Sequence, residues 1–220
     1  MFLAIVPARN EEGSVGSVVN ELLRHVDRVV VIDDGSTDQT GRAAEVAGAT
    51  VLRHEINRGQ GAALETGHAY AREIGADFVL HFDADRQFSV DDIGPALEAM
   101  KKEGAEVLFG SRFMGKKANL PFFKKYFIVP IAYVINKLFF RIALRDTHNG
   151  FRILSKKALG LIRITQDRMA HATEIPMQVQ KFGLSFVEFP ITVRYHSTGQ
   201  RALEGAEVVL DLITGKIINK

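Results

Sequence analysis

Apolar residues in the first half of the chain fall into two alternating patterns. Short, largely β-branched runs occur at Phe2–Val6, Arg28–Ile32, Thr50–Arg53, Phe78–Phe82 and Val107–Gly110, each of strand length. Between them the apolar positions take helical spacing, as in Val15, Val18, Val19, Leu22 and Leu23, and again in Ile93, Leu97 and Met100. Runs that are apolar at successive positions suit strands buried on both faces. The alternation therefore predicts an α/β fold with a parallel sheet between two helical layers. Further on, Phe151–Leu154 and Leu184–Phe189 are predicted strands, and Ala172–Lys181 and Ala202–Ile213 predicted helices. Sheets of this kind bind ligands beyond the carboxyl ends of their strands, so the residues that follow each run are the place to look for chemistry.

One stretch breaks the pattern. Leu120–Leu144 is rich in aromatics, and Phe127, Ile131, Val134, Ile135, Leu138 and Ile142 fall at helical spacing. Its longest uncharged apolar run, Tyr126–Ile135, is too short to cross a bilayer, and Pro130, Asn136, Lys137 and Arg141 interrupt it. Charge singles out the same stretch. The 220-residue chain has 28 Lys+Arg and 26 Asp+Glu, a net charge of +2. Eight of the basic residues (Arg112, Lys116, Lys117, Lys124, Lys125, Lys137, Arg141 and Arg145) lie between Val107 and Arg145 with no acid among them, leaving 20 basic against 26 acidic residues elsewhere. A basic amphipathic helix over about residues 116–145 can lie in a membrane interface. The alternative is an ordinary core-packing helix with solvated lysines.

A hydrophobic share of 46% and a charged share of 25% exclude disorder, collagen and coiled coil. No repeat or Pro/Ser-rich linker divides the sequence, which predicts one domain over 1–220. The absence of cysteine excludes a disulfide framework, a thiolate metal site and thiol catalysis. No basic, apolar leader precedes the first strand, so a cytoplasmic location is expected.

The residues after the strands are strongly polar. Asp83-Ala84-Asp85 projects two carboxylates from a strand end, the hard oxygen ligands that Mg²⁺ or Mn²⁺ prefers and would bridge to a diphosphate. A turn with aspartates capping the helix near Asp91 is the plainer alternative. Asp33 and Asp34 end the second strand, where a carboxylate can accept hydrogen bonds from a ribose or a base edge; the other reading is a helix cap and turn around Thr37 and Asp38. Arg58-Gly59-Gln60-Gly61-Ala62-Ala63 has the form of an anion-binding loop entering a helix N-terminus. The spacings of a P-loop, a dinucleotide-binding Gly-x-Gly-x-x-Gly, a Gly-x-Ser-x-Gly elbow and His-Glu-x-x-His are all missing, which sets aside the commonest NTPase, dehydrogenase, hydrolase and zinc-protease readings. His148 and His196 stand beside polar motif residues, whereas His25, His54 and His68 read as surface or packing residues.

Taken together, Pro7-Ala8-Arg9-Asn10-Glu11-Glu12, Val31-Ile32-Asp33-Asp34-Gly35-Ser36-Thr37-Asp38, Asn57-Arg58-Gly59-Gln60-Gly61, Phe82-Asp83-Ala84-Asp85-Arg86-Gln87, Gly110-Ser111-Arg112-Phe113 and Asp146-Thr147-His148-Asn149-Gly150-Phe151-Arg152 resemble family 2 glycosyltransferases of the GT-A fold. The branch most resembled contains dolichyl-phosphate mannose synthase and bacterial polyprenyl-phosphate glycosyltransferases, and the motifs run in the family's order over about residues 2–200. The resemblance implies a nucleotide-sugar donor, inversion at the anomeric carbon and a Mg²⁺ or Mn²⁺ cofactor. It implies that Pro7, Arg9, Glu11 and Asp34 line the nucleoside pocket with Asp33 in support, and that Arg58, Asp83 and Ala84 also face the nucleotide-sugar. Asp83, Asp85 and Gln87 would hold the metal, and Arg112, Arg152, Arg194 and Arg201 would neutralise phosphates. Tyr195–Arg201 looks like the family's mobile loop. The sequence departs from its relatives at Arg9, where some carry an aromatic residue, and at Asn149-Gly150-Phe151, where mannose synthases often have Ser-Gly-Phe. Many relatives also append transmembrane helices; none is seen here, and a small membrane partner protein would replace them.

A lipid phosphate is already anionic near neutral pH, so its oxygen attacks without a strongly basic side chain. Positioning and charge neutralisation then carry the catalysis. A hydroxyl acceptor would instead require a carboxylate base. Asp146 is the candidate for that part, with a loop-anchoring role as its alternative. The expected protein is a cytoplasmic enzyme, peripheral on the inner face of the membrane, joining a nucleotide-sugar to a polyprenyl phosphate without a nucleic-acid partner. The competing readings are a family 2 transferase acting on a hydroxyl, a nucleotidyltransferase, and a degenerate transferase serving as a membrane-docked scaffold.

Overall fold

The computed structural model describes residues 1–114 and 144–194. The predicted basic helix (apart from Leu144 and Arg145), the loop Tyr195–Arg201 with Arg201, and the helix Ala202–Ile213 lie outside the described residues. In chain order the elements are β1 (Phe2–Ala8), α1 (Val15–Leu22), β2 (Arg28–Asp34), α2 (Thr40–Val46), β3 (Thr50–His54), α3 (Gln60–Glu73), β4 (Phe78–His81), α4 (Ile93–Lys102), β5 (Val107–Ser111), β6 (Arg152–Ser155), α5 (Lys156–Leu161), α6 (His171–Lys181) and β7 (Phe186–Pro190). They build a seven-stranded sheet in the order β3-β2-β1-β4-β6-β5-β7.

The period-2 geometry of a strand explains why the predicted runs are apolar throughout. Along β1, Phe2, Ala4, Val6 and Ala8 face one core with Val15, Val18, Val19 and Leu22 of α1, Ala44 of α2 and Ile93, Ala96 and Met100 of α4. Leu3 and Ile5 face the other core with Ala63, Leu64 and Ala71 of α3, Ala158 and Leu159 of α5, and Ile175 and Val179 of α6. Each of the larger aliphatic side chains contributes roughly 1.5–3 kcal/mol by leaving water. Leu23, assigned to the α1 stripe by spacing, falls beyond the helix and is exposed.

The sheet is mainly parallel, as expected, with one antiparallel strand. β6 runs antiparallel to both of its neighbours, β4 and β5, while β1–β2, β1–β4, β2–β3 and β5–β7 are parallel. Because β6 starts at the edge where the parallel strands end, the chain leading into it lies across their carboxyl ends. Residues 144–151 are thereby delivered to the same edge as Asp34 and Asp83. Among the described residues no helix is long and apolar enough to cross a membrane.

Candidate active site

Loops from four strand ends are joined at this edge by side-chain hydrogen bonds in a closed circuit. Asn10, in the β1–α1 loop, donates its N–H to Ser36 Oγ at 3.0 Å, and its Oδ1 accepts from the Thr37 N–H at 2.9 Å. The Glu11 N–H donates to Thr40 Oγ1 at 2.7 Å and the Gln39 N–H to the Glu12 carboxylate at 2.9 Å, so the first two loops are held together along their length. Asp34 then accepts from the Arg58 N–H at 2.9 Å and the Gly59 N–H at 2.7 Å, joining β2 to the β3–α3 loop. Gln60 Nε2 donates to Asp83 Oδ1 at 3.0 Å, which reaches the turn after β4. From that turn Arg86 Nη2 donates to the Gly13 carbonyl at 3.1 Å and closes the circuit. Pro7 and Glu11 are half-buried on this rim and Arg9 is exposed.

Strand alternation separates the adjacent acids of β2. Asp33 faces α2: its Oδ1 accepts from the Ser36 N–H at 2.9 Å, and a Cβ on Gly41 would come within 2.9 Å of its Oδ2. Asp34 faces α3, where His54 Nδ1 lies 2.7 Å from its Oδ1 and His54 Nε2 lies 2.9 Å from Thr66 Oγ1. Burial by itself would raise the Asp34 pKa, but the hydrogen bonds from Arg58, His54 and Gly59 outweigh it and leave the group lowered, hence ionised. His54 is thus a support of the site rather than a surface residue.

Asp83 and Asp85 emerge from one turn, while Ala84 between them is buried in the α1–α4 core. Burial, followed by the charge of Asp85, pushes the Asp83 carboxyl up to about 7, against the opposing pull of Arg152 and Gln60. A divalent cation would relieve that repulsion, and two carboxylates with an amide oxygen form a hard-donor set suited to Mg²⁺ or Mn²⁺. The enclosure fits as well: a Cβ on Gly150 would lie 2.6 Å from Asp83 Oδ2, so only glycine leaves the carboxylate its place. Among the described residues no group of three His, Cys, Asp or Glu is placed to hold a metal. Asp83 and Asp85 would therefore need the Gln87 amide or ligand oxygens to complete a coordination shell. Asp85 Oδ1 accepts from the Gln87 N–H at 2.9 Å, and the Gln87 carbonyl accepts from the Arg194 N–H at 2.8 Å, which brings Arg194 to the same turn.

Three expectations change at this site. Asp146 is buried and accepts from Arg112 Nε at 2.8 Å, Arg112 Nη2 at 2.8 Å, the Arg112 N–H at 3.0 Å and Asn149 Nδ2 at 3.1 Å. Both carboxylate oxygens are taken up by a two-pronged guanidinium pair, so the anchoring alternative describes it. Arg152 is only 1% exposed, and its Nη2 donates to the Thr147 and Ala172 carbonyls at 3.1 and 3.2 Å. It lies beneath the site as a buried charge rather than at a phosphate. Burial lowers its pKa to about 10, while Asp83 and Asp146 act to raise it. Finally, the first turn of α3 is covered: the Asp167 carbonyl accepts from the Ala62 N–H at 3.1 Å, and a Cβ on Gly61 would meet the Gln166 carbonyl at 1.9 Å. The glycines of this loop permit chain packing, not anion binding, and Arg58 contributes its backbone to Asp34.

Gln60, His54, Arg86 and the buried His171 were not assigned to the site by their sequence. His171 Nδ1 lies 2.6 Å from the Arg168 carbonyl, and burial lowers its pKa to about 4. Gln60 had a usable signal, the first helical position after a glycine. His54 and Arg86 had none, because their partners are remote in sequence, and nothing in the sequence marked His171 as buried.

Known proteins share this architecture. The curated UDP-N-acetylglucosamine–dolichyl-phosphate N-acetylglucosaminyltransferase of Methanococcus voltae is 30% identical over 217 residues, covering 89% of this chain and 86% of its own. An uncharacterised protein of Methanocaldococcus jannaschii is 32% identical over 230 residues, covering 98% and 92%. Among solved structures, glucosyl-3-phosphoglycerate synthase from Mycobacterium tuberculosis, crystallised with Mn²⁺ and UDP-glucose, has the same fold. It superposes with a TM-score of 0.69 at 21% identity, covering 97% of this chain and 76% of that one. The sequence pattern of glycosyl transferase family 2 matches residues 3–162, and the chain belongs to that family.

Proposed function

We propose that this family 2 glycosyltransferase moves a hexose from a nucleotide-sugar to a polyprenyl phosphate, inverting the anomeric carbon. The acceptor phosphate oxygen attacks C1 of the sugar, the bond from C1 to the diphosphate oxygen breaks, and the nucleoside diphosphate leaves with the electron pair. Pro7, Arg9, Glu11 and Asp34 are the residues proposed to meet the nucleoside, with Asp33 behind them. Asp83, Asp85 and Gln87 are proposed to hold Mg²⁺ or Mn²⁺, which when bound would neutralise the leaving diphosphate. Arg194 stands at that turn to add positive charge, and the pairing of Arg112 with Asp146 holds the segment after β5 to the one before β6.

The observation that carries the choice of acceptor is the commitment of Asp146 to Arg112. A hydroxyl nucleophile needs a free base; an anionic phosphate does not. The Methanococcus voltae relative, named for a dolichyl-phosphate acceptor, supports the same class. Working on such a lipid would place the enzyme at the cytoplasmic surface of a membrane, with Lys116, Lys117, Lys124 and Lys125 as its proposed contacts.

Incubation with labelled UDP- and GDP-sugars, Mn²⁺ and a polyprenyl phosphate tests the assignment. A charged glycolipid labelled from one donor is expected. No glycolipid from any common donor, by protein with an intact unfolding transition, would reject the acceptor class.

A further inference from the structure

Two non-glycine residues among those described have positive φ, Asn10 at 56° and Arg86 at 64°, and they occupy neighbouring loops of the proposed donor site. Asparagine is among the residues that tolerate this region, and the Asn10 side chain is tied across to the next loop by the Thr37 N–H. Arginine has no such compensation, so the surroundings must hold it there. They do so visibly. Asp85 Oδ1 bonds the Gln87 N–H at 2.9 Å across Arg86, and Arg194 secures the Gln87 carbonyl at 2.8 Å. With the backbone turned this way, the Arg86 side chain reaches back over the rim, and Nη2 donates to the Gly13 carbonyl at 3.1 Å. Gly13 lies in the loop that carries Arg9 and Glu11, and Arg86 stands between the two proposed metal ligands Asp85 and Gln87.

We propose that Arg86 is a positioning residue that fixes the metal-binding turn against the nucleoside loop, so that both halves of a nucleoside diphosphate are bound at once. This rests on the donor-site reading given above. Two half-sites held in register bind a linked ligand far better than either half, through a high effective concentration. Loosening the register weakens binding of the whole ligand while leaving each half unchanged.

The test compares wild type with Arg86→Asn, Arg86→Gly and Arg86→Lys. Asn and Gly accept the left-handed backbone without the clamp, and Lys restores a cation of similar reach. Calorimetry reads Mn²⁺ alone and UDP or GDP with Mn²⁺, ligand-observed NMR reads millimolar uridine or guanosine binding, and urea unfolding reads stability. Affinity for UDP or GDP with Mn²⁺ is expected to fall about three- to tenfold in Arg86→Asn and Arg86→Gly, the size of one lost hydrogen bond, with partial recovery in Arg86→Lys. Mn²⁺ binding, nucleoside binding and the urea midpoint are expected to stay at wild-type values. Unchanged diphosphate affinity in Arg86→Asn would overturn the proposal. So would a parallel loss of Mn²⁺ and nucleoside binding, which marks general damage. A wild type that binds neither UDP nor GDP with Mn²⁺ would instead remove the donor-site reading, and the proposal with it.

Discussion

The two layers packed on the sheet are built to different ends. The layer of α1, α2 and α4 is a continuous apolar core, extended toward the site by Phe82, Phe88 and Phe151, whose rings pack edge-to-face with centroids 5.6–6.3 Å apart. The layer of α3, α5 and α6 is also apolar, but a buried polar row crosses it beneath the site. There His68 Nε2 and His81 Nε2 lie 2.7 Å apart, His81 stands opposite Arg152 across β4 and β6, and His171 packs from α6. His68 Nδ1, His81 Nδ1 and Arg152 Nε have no hydrogen-bond partner among the described residues. Burying such groups costs stability. The first layer contributes folding free energy; the second gives some of it up to keep positive charge under Asp83 and Asp146.

The sharpest way to break this comparison is to remove the buried charge. Arg152→Ala takes away the donor to Thr147 and Ala172 and the counter-charge to two carboxylates, and is expected to lose about 3–5 kcal/mol in urea unfolding. Its neighbour Ile153 faces the other layer, and Ile153→Val should lose only about 1 kcal/mol. Equal losses would mean that the polar row is not special.

Acid comes next in size. Burial, aided by the charge of Arg72, lowers His68 to about 3, and burial lowers His171 to about 4. The unfolded chain takes up both protons near pH 6.5, whereas the folded protein resists until those lower values. The proton excess below pH 6.5 therefore lies with the unfolded state, and stability falls as the pH drops from there toward 4. At about 1.4 kcal/mol per histidine for each unit of pH, the two together should cost about 2–3 kcal/mol between pH 7.5 and 5.5, and Asp83 works against that loss, because its raised carboxyl takes up a proton in the folded protein over the same interval. Denaturant titrations of Asp83→Asn, which lacks the opposing carboxyl, at the two pH values would show it, and a flat profile in that variant would contradict the buried neutral histidines.

Two glycines give the smaller contrasts. Gly61→Ala would drive a methyl group against the Gln166 backbone and is expected to lose about 1–3 kcal/mol, with the 166–167 segment displaced from α3. Gly94→Ala, in α4 on the other layer, meets nothing within 4 Å and should gain about 0.5–1 kcal/mol from helix propensity. Thermal unfolding of the pair distinguishes close packing in one layer from open surface in the other.

The fold was largely legible because the strands that pair in parallel are apolar on both faces and the intervening helices carry one stripe each. The antiparallel entry of β6 was not, since Phe151–Leu154 reads the same in either direction and only its partners decide. At the site, the positions of Asp34, Asp83 and Asp85 at strand ends were legible, while a ligand role for them and for Gln87 rests on the resemblance to the family. The part played by Asp146 was not legible, because a carboxylate at a given position is an anchor or a base according to what it faces. The parts played by His54 and His171 were missed for the same reason: isolated histidines carry no periodicity.

By itself the sequence determined the layered α/β architecture, the edge at which chemistry gathers and the acids that stand there. Those follow from local rules: a strand alternates its faces, a helix repeats every 3.6 residues, and parallel strands end together. Tertiary structure alone decided what each polar group does. Asp33 and Asp34 went to opposite faces, Arg152 under the site rather than into it, and the first turn of α3 to the Asp167 carbonyl. Hydrogen bonding and desolvation depend on which groups meet, and those meetings join residues up to a hundred positions apart.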